Sequence, residues 1–323
     1  MRRLLICLAI AAGALAIAPA ALADGPGGPI TVTQGGSGVA SQVQPGLRYV
    51  TVSDGTGGTL LETLDLTNGG VFGWIRLHGS WGIPAIGLGA SGQGLSHDGR
   101  TLVLGSTAGP QVSPSKFLVV DARRMKALRT IVLRGTFSFD ALSPDASRMY
   151  VIQYASAGNL NHYIVRAYDM RTNRLLPGKI ADRSEHEETM AGSALTRTTS
   201  TGGRWVYTLY QKPSGEPFVH ALDTVGAAAY CIDLPENRGL YNIVLSLRDS
   251  GRTLAVHWRS GRPWLNVATG SWRVSYPSSG FPWTWVGAGI GGGLALLAAG
   301  ALLLRRRRGE KLQKHAGQEL GLA

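Results

Sequence analysis

The densest group of possible metal ligands in this 323-residue chain is the acidic segment 182–188, which reads Asp-Arg-Ser-Glu-His-Glu-Glu. Carboxylates and an imidazole are donors that a divalent cation accepts, provided that the loop folds back on itself. The segment has neither the spacing of an EF-hand loop nor a His-x-x-x-His pair. We therefore interpret it as a solvated loop, and we predict neither a metal nor a cofactor for this chain.

Other patterns have the form of catalytic motifs without their context. Gly87-x-Gly89-x-x-Gly92 has the form of a dinucleotide fingerprint, but no strand–helix unit surrounds it, so we interpret it as a loop. There is no G-x-S-x-G elbow, and the histidines form no recognisable ligand pair. Cys231 stands in a strand pattern, where a buried apolar thiol is expected; an exposed one could link two chains. We predict no catalytic residue.

The elements that position any site form an internal repeat. Each unit reads as a strand, a polar turn with an arginine, and a second strand of alternating apolar residues. The units begin at leucines spaced 47, 53 and 50 residues apart: Leu95, Leu142, Leu195 and Leu245. A second hairpin follows each unit, and an aspartate that closes its first strand is placed to accept hydrogen bonds from turn amides. These aspartates are Asp65, Asp121, Asp169 and Asp223, with Ala268 at the corresponding place in the last hairpin.

Four short strands per repeat of about 40–50 residues is the period of a β-propeller blade. Leu142-Ser-Pro-Asp with Arg148-Met-Tyr-Val, and Leu95-Ser-His-Asp-Gly-Arg-Thr-Leu, resemble the WD40-like (YVTN-type) repeats of secreted and membrane-anchored bacterial proteins. The resemblance spans about 47–276 and lacks the Gly-His and Trp-Asp dipeptides of eukaryotic WD40 repeats. It implies an all-β propeller of about five four-stranded blades.

The first blade is incomplete in the sequence. Its innermost strand has only two candidates, Ile30–Thr33 and Val39–Val43, both within the glycine-rich segment 24–46. The alternative architecture is a β-sandwich with irregular hairpins.

The fold predicts where a ligand would bind. When the strands of a blade are labelled a to d from the axis outward, the b–c and d–a loops share one face. Propellers bind ligands at such loop faces or in the central channel, because rigid blades leave the loops free to vary. We predict a ligand face made of polar loop residues: Asn159, Asn161, His162, Glu185, His186, Glu187, Glu216, Arg259 and Arg262.

The two ends of the chain predict a membrane topology. Residues 1–23 have a basic start, an apolar run and the small-x-small pattern of Ala21 and Ala23, which predicts a cleaved signal peptide. An uncleaved membrane anchor is the alternative. After a linker at 277–282, residues 283–304 carry no charge and are long enough to cross a bilayer. The stop-transfer residues Arg305, Arg306, Arg307 and Arg308 open a basic cytoplasmic tail, 305–323.

The net charge of +12 is partly a consequence of this topology, because Arg2, Arg3 and the tail hold a large share of the excess. We therefore predict no nucleic-acid partner. Within the predicted span, small residues fall on one helical face and could allow a homodimer. These residues are Gly287, Gly289, Gly291 and Gly293.

We expect a non-enzymatic, single-pass protein of the cell membrane whose extracytoplasmic propeller binds a protein, glycan or small ligand. Membrane lipid would be its second partner. One alternative is a lactonase-like hydrolase of propeller type, which needs acidic or metal-binding side chains that converge at the channel mouth. The other is a surface sensor, which needs a partner because the tail is too short for a signalling domain.

Overall fold

The computed structural model describes residues 30–277 except 37, 87–90, 183–189 and 236–238. Within these residues the protein is built from β-strands, joined by turns and by two short 3-10 helices, Leu240–Asn242 and Asp249–Gly251. The strands form antiparallel sheets that follow one another along the chain, which we number blades 1 to 5.

Each blade has a core of four strands in sequence order. Blade 1 contains β2 (Val39–Ala40), β3 (Leu47–Ser53), β4 (Thr59–Asp65) and β5 (Val71–Leu77). Blade 2 contains β1 (Ile30–Thr33), β6 (Trp81–Ile86), β7 (Ser91–Gly92), β8 (Thr101–Ser106), β9 (Ser115–Asp121) and β10 (Lys126–Leu133). Blade 3 contains β11 (Phe137–Leu142), β12 (Arg148–Ser156), β13 (Asn159–Asp169), β14 (Arg174–Leu175) and β15 (Met190–Ala191). Blade 4 contains β16 (Ser193–Thr199), β17 (Trp205–Gln211), β18 (Pro217–Asp223) and β19 (Ala228–Asp233), and blade 5 contains β20 (Ile243–Arg248), β21 (Thr253–Trp258), β22 (Pro263–Ala268) and β23 (Val274–Ser275).

The blades pack face to face, and this burial of apolar sheet faces is the main stabilising contribution. One hydrophobic cluster joins blade 1 to blade 2, for example through Leu61 and Leu102. Further clusters join blade 2 to 3, 3 to 4 and 4 to 5. Among the described residues no such cluster joins blade 5 to blade 1. The repeated sheets and their stacking confirm the predicted β-propeller architecture.

The turns explain why the repeat has its characteristic residues. The four aspartates that close strand c accept backbone N–H groups of the following turn, as predicted; Asp223, for example, accepts those of Val225 and Gly226. In the a–b turns, the serine of the Leu-Ser-x-Asp segment acts similarly, because Ser143 Oγ accepts the Arg148 N–H at 2.9 Å. These bonds satisfy backbone groups that no sheet partner reaches.

Four residues after each closing position, the c–d turn has a left-handed backbone. In blade 1 this residue is Gly69, with φ of 72° and no atom near its missing Cβ. The other blades place side chains there, at Met125, Asn173, Ala227 and Trp272. The turn geometry is thus conserved between blades although glycine, which adopts it without strain, is used only once among them.

Both candidate segments near the N-terminus form strands, but in different blades. Val39–Ala40 is the innermost strand of blade 1, whereas Ile30–Thr33 pairs antiparallel with β6 of blade 2. Gly105 makes room for this added strand, since a Cβ there would lie 2.7 Å from a methyl carbon of Val32. The segment 24–46 therefore contributes to two sheets.

The predicted signal peptide with Ala21 and Ala23, the span 283–304 and Arg305 to Arg308 all lie outside the described residues, as do Gly287, Gly289, Gly291 and Gly293. In the part of the chain that the structure describes, no helix has the length and apolar character needed to span a membrane. The topology remains a prediction.

Candidate functional site

The predicted ligand face lies where the strand order places it, on loops and strand ends between strands b and c. Asn159, Asn161 and His162 are exposed at the start of β13, Glu216 is exposed before β18, and Arg259 and Arg262 are exposed between β21 and β22. Glu185, His186 and Glu187 lie outside the described residues.

The contacts of these side chains are local. Asn159 Oδ1 accepts the Asn161 N–H at 3.1 Å, and the Arg262 guanidinium lies 5.8 Å from the centre of the Trp258 ring. Within the described residues no hydrogen bond or ion pair joins the predicted side chains of one blade to those of another. The structure therefore shows these groups as separate features, and their role in binding stays a prediction.

A cavity lies at the end of the blades that carries the a–b turns, opposite the b–c loops. It has a volume of about 630 Å³ and is lined by the inner strands of blades 1 to 4; blade 5 contributes none of the lining within the described residues. The lining residues stand at the ends of strand a, in the a–b turns or at the starts of strand b. A cavity of this volume is typical of small-molecule sites.

The rim is held together by contacts that converge on the a–b turn of blade 2, residues 96–100. The Asp98 N–H donates to the Pro144 carbonyl of blade 3. Gly99 and Gly203 lie so close to neighbouring turns that added Cβ atoms would come within 2.4 Å of Val43 and 2.8 Å of His97. Glycine is required at both places, because φ is also positive. The mouth is therefore built from packed, preorganised turns.

Glycine also forms part of the cavity wall. Gly92, the described member of the Gly87-x-Gly89-x-x-Gly92 pattern, would bring a Cβ to 2.0 Å from the Gly38 carbonyl oxygen. At Gly94, with φ of 95°, a Cβ would lie 2.4 Å from the Val103 carbonyl oxygen. The glycines here allow close backbone packing between inner strands and have no nucleotide-binding helix beside them in the described residues.

A buried ion pair lies beside the cavity and joins blades 3 and 4. Arg197 of β16 donates through Nη2 to the carboxylate of Asp140 in β11, through Nη1 to the Asp140 carbonyl at 2.6 Å, and through Nε to Thr208 Oγ1 at 2.7 Å. Both ionic side chains are 2% exposed. Because Arg197 lies against the Asp140 carboxylate and donates three hydrogen bonds, the charge of its guanidinium is compensated.

The polar residues of blade 4 continue from Arg197 across the sheet in one register row. Arg197 pairs with Thr208, Thr208 with His220, and His220 with Cys231. Cys231 Sγ lies 3.7 Å from His220 Nδ1, and Asp182 Oδ2 accepts the Cys231 N–H at 2.6 Å. Cys231 is half-buried, between the two states weighed from the sequence.

Burial controls the protonation of His220. His220 is 2% exposed, and the removal of water lowers the pKa of its imidazole to about 4; in smaller effects, the charge of Asp140 raises this pKa and the charge of Arg197 lowers it. The neutral imidazole is therefore the form at pH 7. Its Nε2 has no hydrogen-bond partner in the described structure.

Arg48 is the second arginine that lines the cavity, and its environment differs from that of Arg197. Arg48 is partly buried, and its Nε atom is inaccessible to solvent. The Arg48 side chain makes no hydrogen bond or ion pair within the described residues. The cross-strand neighbours Ala40 and Leu64 offer no acceptor side chain. Cavity-lining side chains among the described residues include no carboxylate.

Sequence reasoning did not single out Arg48, Arg197 or Asp140. For Asp140 and Arg197 the sequence contained a signal, which is a charged residue inside a strand-like segment. Asp140 interrupts Phe137–Leu142 and Arg197 interrupts Ser193–Thr199, at places where propellers bury side chains. For Arg48 there was no such signal, since an arginine at the start of a strand is ordinary.

Comparisons with known proteins give similarities of low score. No protein-family model matches the sequence, and no curated protein matches it. The β-propeller domain of Cps50 (Swd1) from Myceliophteria thermophila is similar with a TM-score of 0.44 and 14% identity, over 74% of this chain and 68% of that chain. TolB from Acinetobacter baumannii has a TM-score of 0.43 and 13% identity, over 78% and 55% of the two chains, and the Dos1 propeller has 0.41 and 11%, over 73% and 57%. The fold assignment rests on the strand pairing and blade packing.

Proposed function

We propose that this protein is a non-enzymatic binding module, tethered to the cell membrane with its propeller on the extracytoplasmic side, that holds a small ligand in the axial cavity. The observation that carries the proposal is the cavity itself, about 630 Å³ in volume and walled by the inner strands of four blades. A rigid concave site of this size removes most of the surface of a small ligand from water.

The chemistry of the wall supports binding. Its described side chains supply guanidinium, imidazole, amide and hydroxyl groups, with glycine backbone between them. Such groups fix and orient a ligand through hydrogen bonds, whereas general acid–base hydrolysis uses positioned pairs of titratable groups. Among the described lining residues, His97 is the one histidine.

The tether and the export are proposed from the sequence. Residues 1–23 direct secretion, 283–304 cross the bilayer, and Arg305 to Arg308 keep the tail in the cytoplasm. Protease treatment of intact cells tests this arrangement. We expect an epitope in the propeller to be lost and an epitope after Arg308 to be protected; protection of both would contradict it.

The binding site is tested by filling the cavity. Ala40 lines it and is half-buried, so Ala40→Trp should occupy the ligand volume. Ala108→Trp is the matched control, because Ala108 is exposed in the b–c loop of blade 2 and does not line the cavity.

The assay is equilibrium dialysis of the purified full chain against a mixture of carboxylates, phosphates, nucleosides and sugars, with mass spectrometry of the retained compounds. We expect the wild type and Ala108→Trp to retain the same compound and Ala40→Trp to lose it. Retention of nothing by the wild type, or equal retention by Ala40→Trp, would contradict the proposed function.

A further inference from the structure

We propose that the axial cavity binds a small soluble oxyanion, a carboxylate or a phosphate group, and that Arg48 is the residue that recognises it. This inference rests on the proposed function of the cavity and adds the ligand's chemical class. The juxtaposition behind it is an arginine without an acidic partner in a cavity whose described lining has no carboxylate.

Comparison with the other arginines shows what is unusual about Arg48. Every other arginine that is buried or partly buried among the described residues donates to a specific acceptor. Arg129 donates to the Met170 carbonyl at 2.6 Å, Arg148 to the Val225 carbonyl at 2.8 Å and Arg166 to Gln153 Oε1 at 2.9 Å. Arg197 has Asp140 and Thr208. Arg48 alone in this set donates to nothing.

The Nε–H of Arg48 is buried without an acceptor, which is unfavourable because this donor has lost hydration and gained no partner. The fold does not supply the missing acceptor, since the residues in register with Arg48 are Ala40 and Leu64. A ligand oxyanion would supply it. The planar fork of donors on an arginine matches the two oxygens of a carboxylate or phosphate group.

The rest of the wall fits the same ligand class. Arg197 reaches the cavity, but Asp140 compensates its charge, so Arg48 is the uncompensated cation of the described lining. The Ser200 oxygen already accepts the Trp205 N–H at 2.9 Å, which leaves the hydroxyl proton for a ligand. Asp98 beside the rim is engaged within its own turn by Ser96 Oγ and the Arg100 N–H, at 2.6 and 3.0 Å.

The assignment predicts opposite results for the two arginines of the cavity. Arg48→Met removes no internal bond, so the unfolding midpoint without ligand should equal or exceed that of the wild type. Arg197→Met breaks a buried ion pair and should lower that midpoint. A large loss of stability in Arg48→Met would instead mean that Arg48 has a structural role, and would overturn the inference.

Binding is measured by titration calorimetry on the full chain in phosphatidylcholine nanodiscs, with inorganic phosphate and acetate as probes at constant ionic strength. Arg48→Met should weaken the affinity by about 10- to 100-fold, the effect of one charged hydrogen-bonded contact. Arg48→Lys keeps the charge without the fork and should lie between. Arg124→Met is the matched control, because Arg124 is 82% exposed and lies outside both the described cavity lining and the predicted b–c loop face; its affinity should stay within about twofold of the wild type. Arg259→Met is made in addition, to test the predicted b–c loop face as a rival site for the anion.

Each remaining outcome is decisive. Equal affinity of Arg48→Met and the wild type, or weaker binding in Arg259→Met instead, overturns the assignment to Arg48. A third outcome is that neither phosphate nor acetate binds, while the propeller binds the headgroups of nanodiscs that contain phosphatidylglycerol. That result would identify lipid as the source of the anion and would overturn the soluble ligand. If the cavity retains a neutral compound in the dialysis experiment, the inference that its ligand is an anion is overturned and the proposed function stands. If it retains nothing, the proposed function is overturned as well.

Discussion

The buried pair between Arg197 and Asp140 allows the most quantitative test of the structure. Arg197→Met removes three donor contacts and leaves a carboxylate whose side chain is 2% exposed without its cation. Breaking a buried pair in this way costs about 3–5 kcal/mol, because the remaining charge stays desolvated. For a domain of this size, each kcal/mol lowers the unfolding midpoint by about 2–4 °C, so a fall of roughly 6–20 °C is expected.

The double variant Asp140→Leu/Arg197→Met tests whether the effect comes from the lost pairing. Without the carboxylate there is no stranded charge, so the double variant should recover most of the free energy of unfolding that Arg197→Met loses. The matched control is Arg124→Met, because Arg124 also pairs with an aspartate, Asp121, but is 82% exposed. We expect no measurable loss in the control.

The measurements are thermal unfolding, for the midpoint, and urea unfolding, for the free energy, both on the full chain at pH 7. Tryptophan fluorescence and the circular dichroism of the strands report the transitions. A free energy of unfolding for Arg197→Met within about 1 kcal/mol of the wild type would refute the reasoning. Additive effects of the two substitutions would also refute it, since the pair would then contribute no coupling between blades 3 and 4.

Three further predictions concern burial, turn geometry and the predicted span. Burial lowers the pKa of His220 from its ordinary value of 6.5 to about 4, so its contribution to stability is fully present above about pH 6.5 and is lost as the pH falls towards 4. Urea unfolding between pH 7 and 4 should show a loss of about 3 kcal/mol from this group, and His220→Gln should flatten that slope; parallel slopes would contradict the burial. Gly69→Ala should lower the free energy of unfolding by about 1 kcal/mol through backbone strain alone, and Ala227→Gly should raise it by less, because glycine also gains freedom when unfolded. Gly289→Ile with Gly293→Ile should abolish self-association in a membrane two-hybrid assay, and an unchanged signal would dismiss the dimer.

The architecture was predictable because its determinants are local in sequence. The spacing of Leu95, Leu142, Leu195 and Leu245 reports one blade per repeat, and the closing aspartates report one turn per hairpin. The structure confirms both, including the turn N–H groups from which the Asp223 carboxylate accepts hydrogen bonds.

The sheet that Ile30–Thr33 joins was not predictable, because the inner edge of either blade 1 or blade 2 accepts a short β-branched strand. What decides it is space, which Gly82 and Gly105 leave for this strand beside blade 2.

The candidate site depended on information of a different kind. The predicted ligand face was chosen from polar loops, since loops vary and carry function in many propellers. The cavity is formed instead by strand ends and packed a–b turns, whose residues are ordinary for a turn. Its outline depends on close approaches such as that of Gly92 to the Gly38 carbonyl, which involve residues far apart along the chain.

The difference between Arg48 and Arg197 shows why a sequence does not report the chemical role of a charged residue in a sheet. Both are arginines of inner or adjacent strands, with apolar and β-branched neighbours. Their roles diverge because register brings Thr208 beside Arg197 and blade packing brings Asp140 to it, whereas register brings Ala40 and Leu64 beside Arg48. A charge that the fold compensates holds blades together; a charge that the fold leaves uncompensated, at the wall of a cavity, is most stable when a ligand supplies the opposite charge. Two features therefore define the site in this propeller: Arg48 itself, and the lack of an acidic residue beside Arg48 among the described residues.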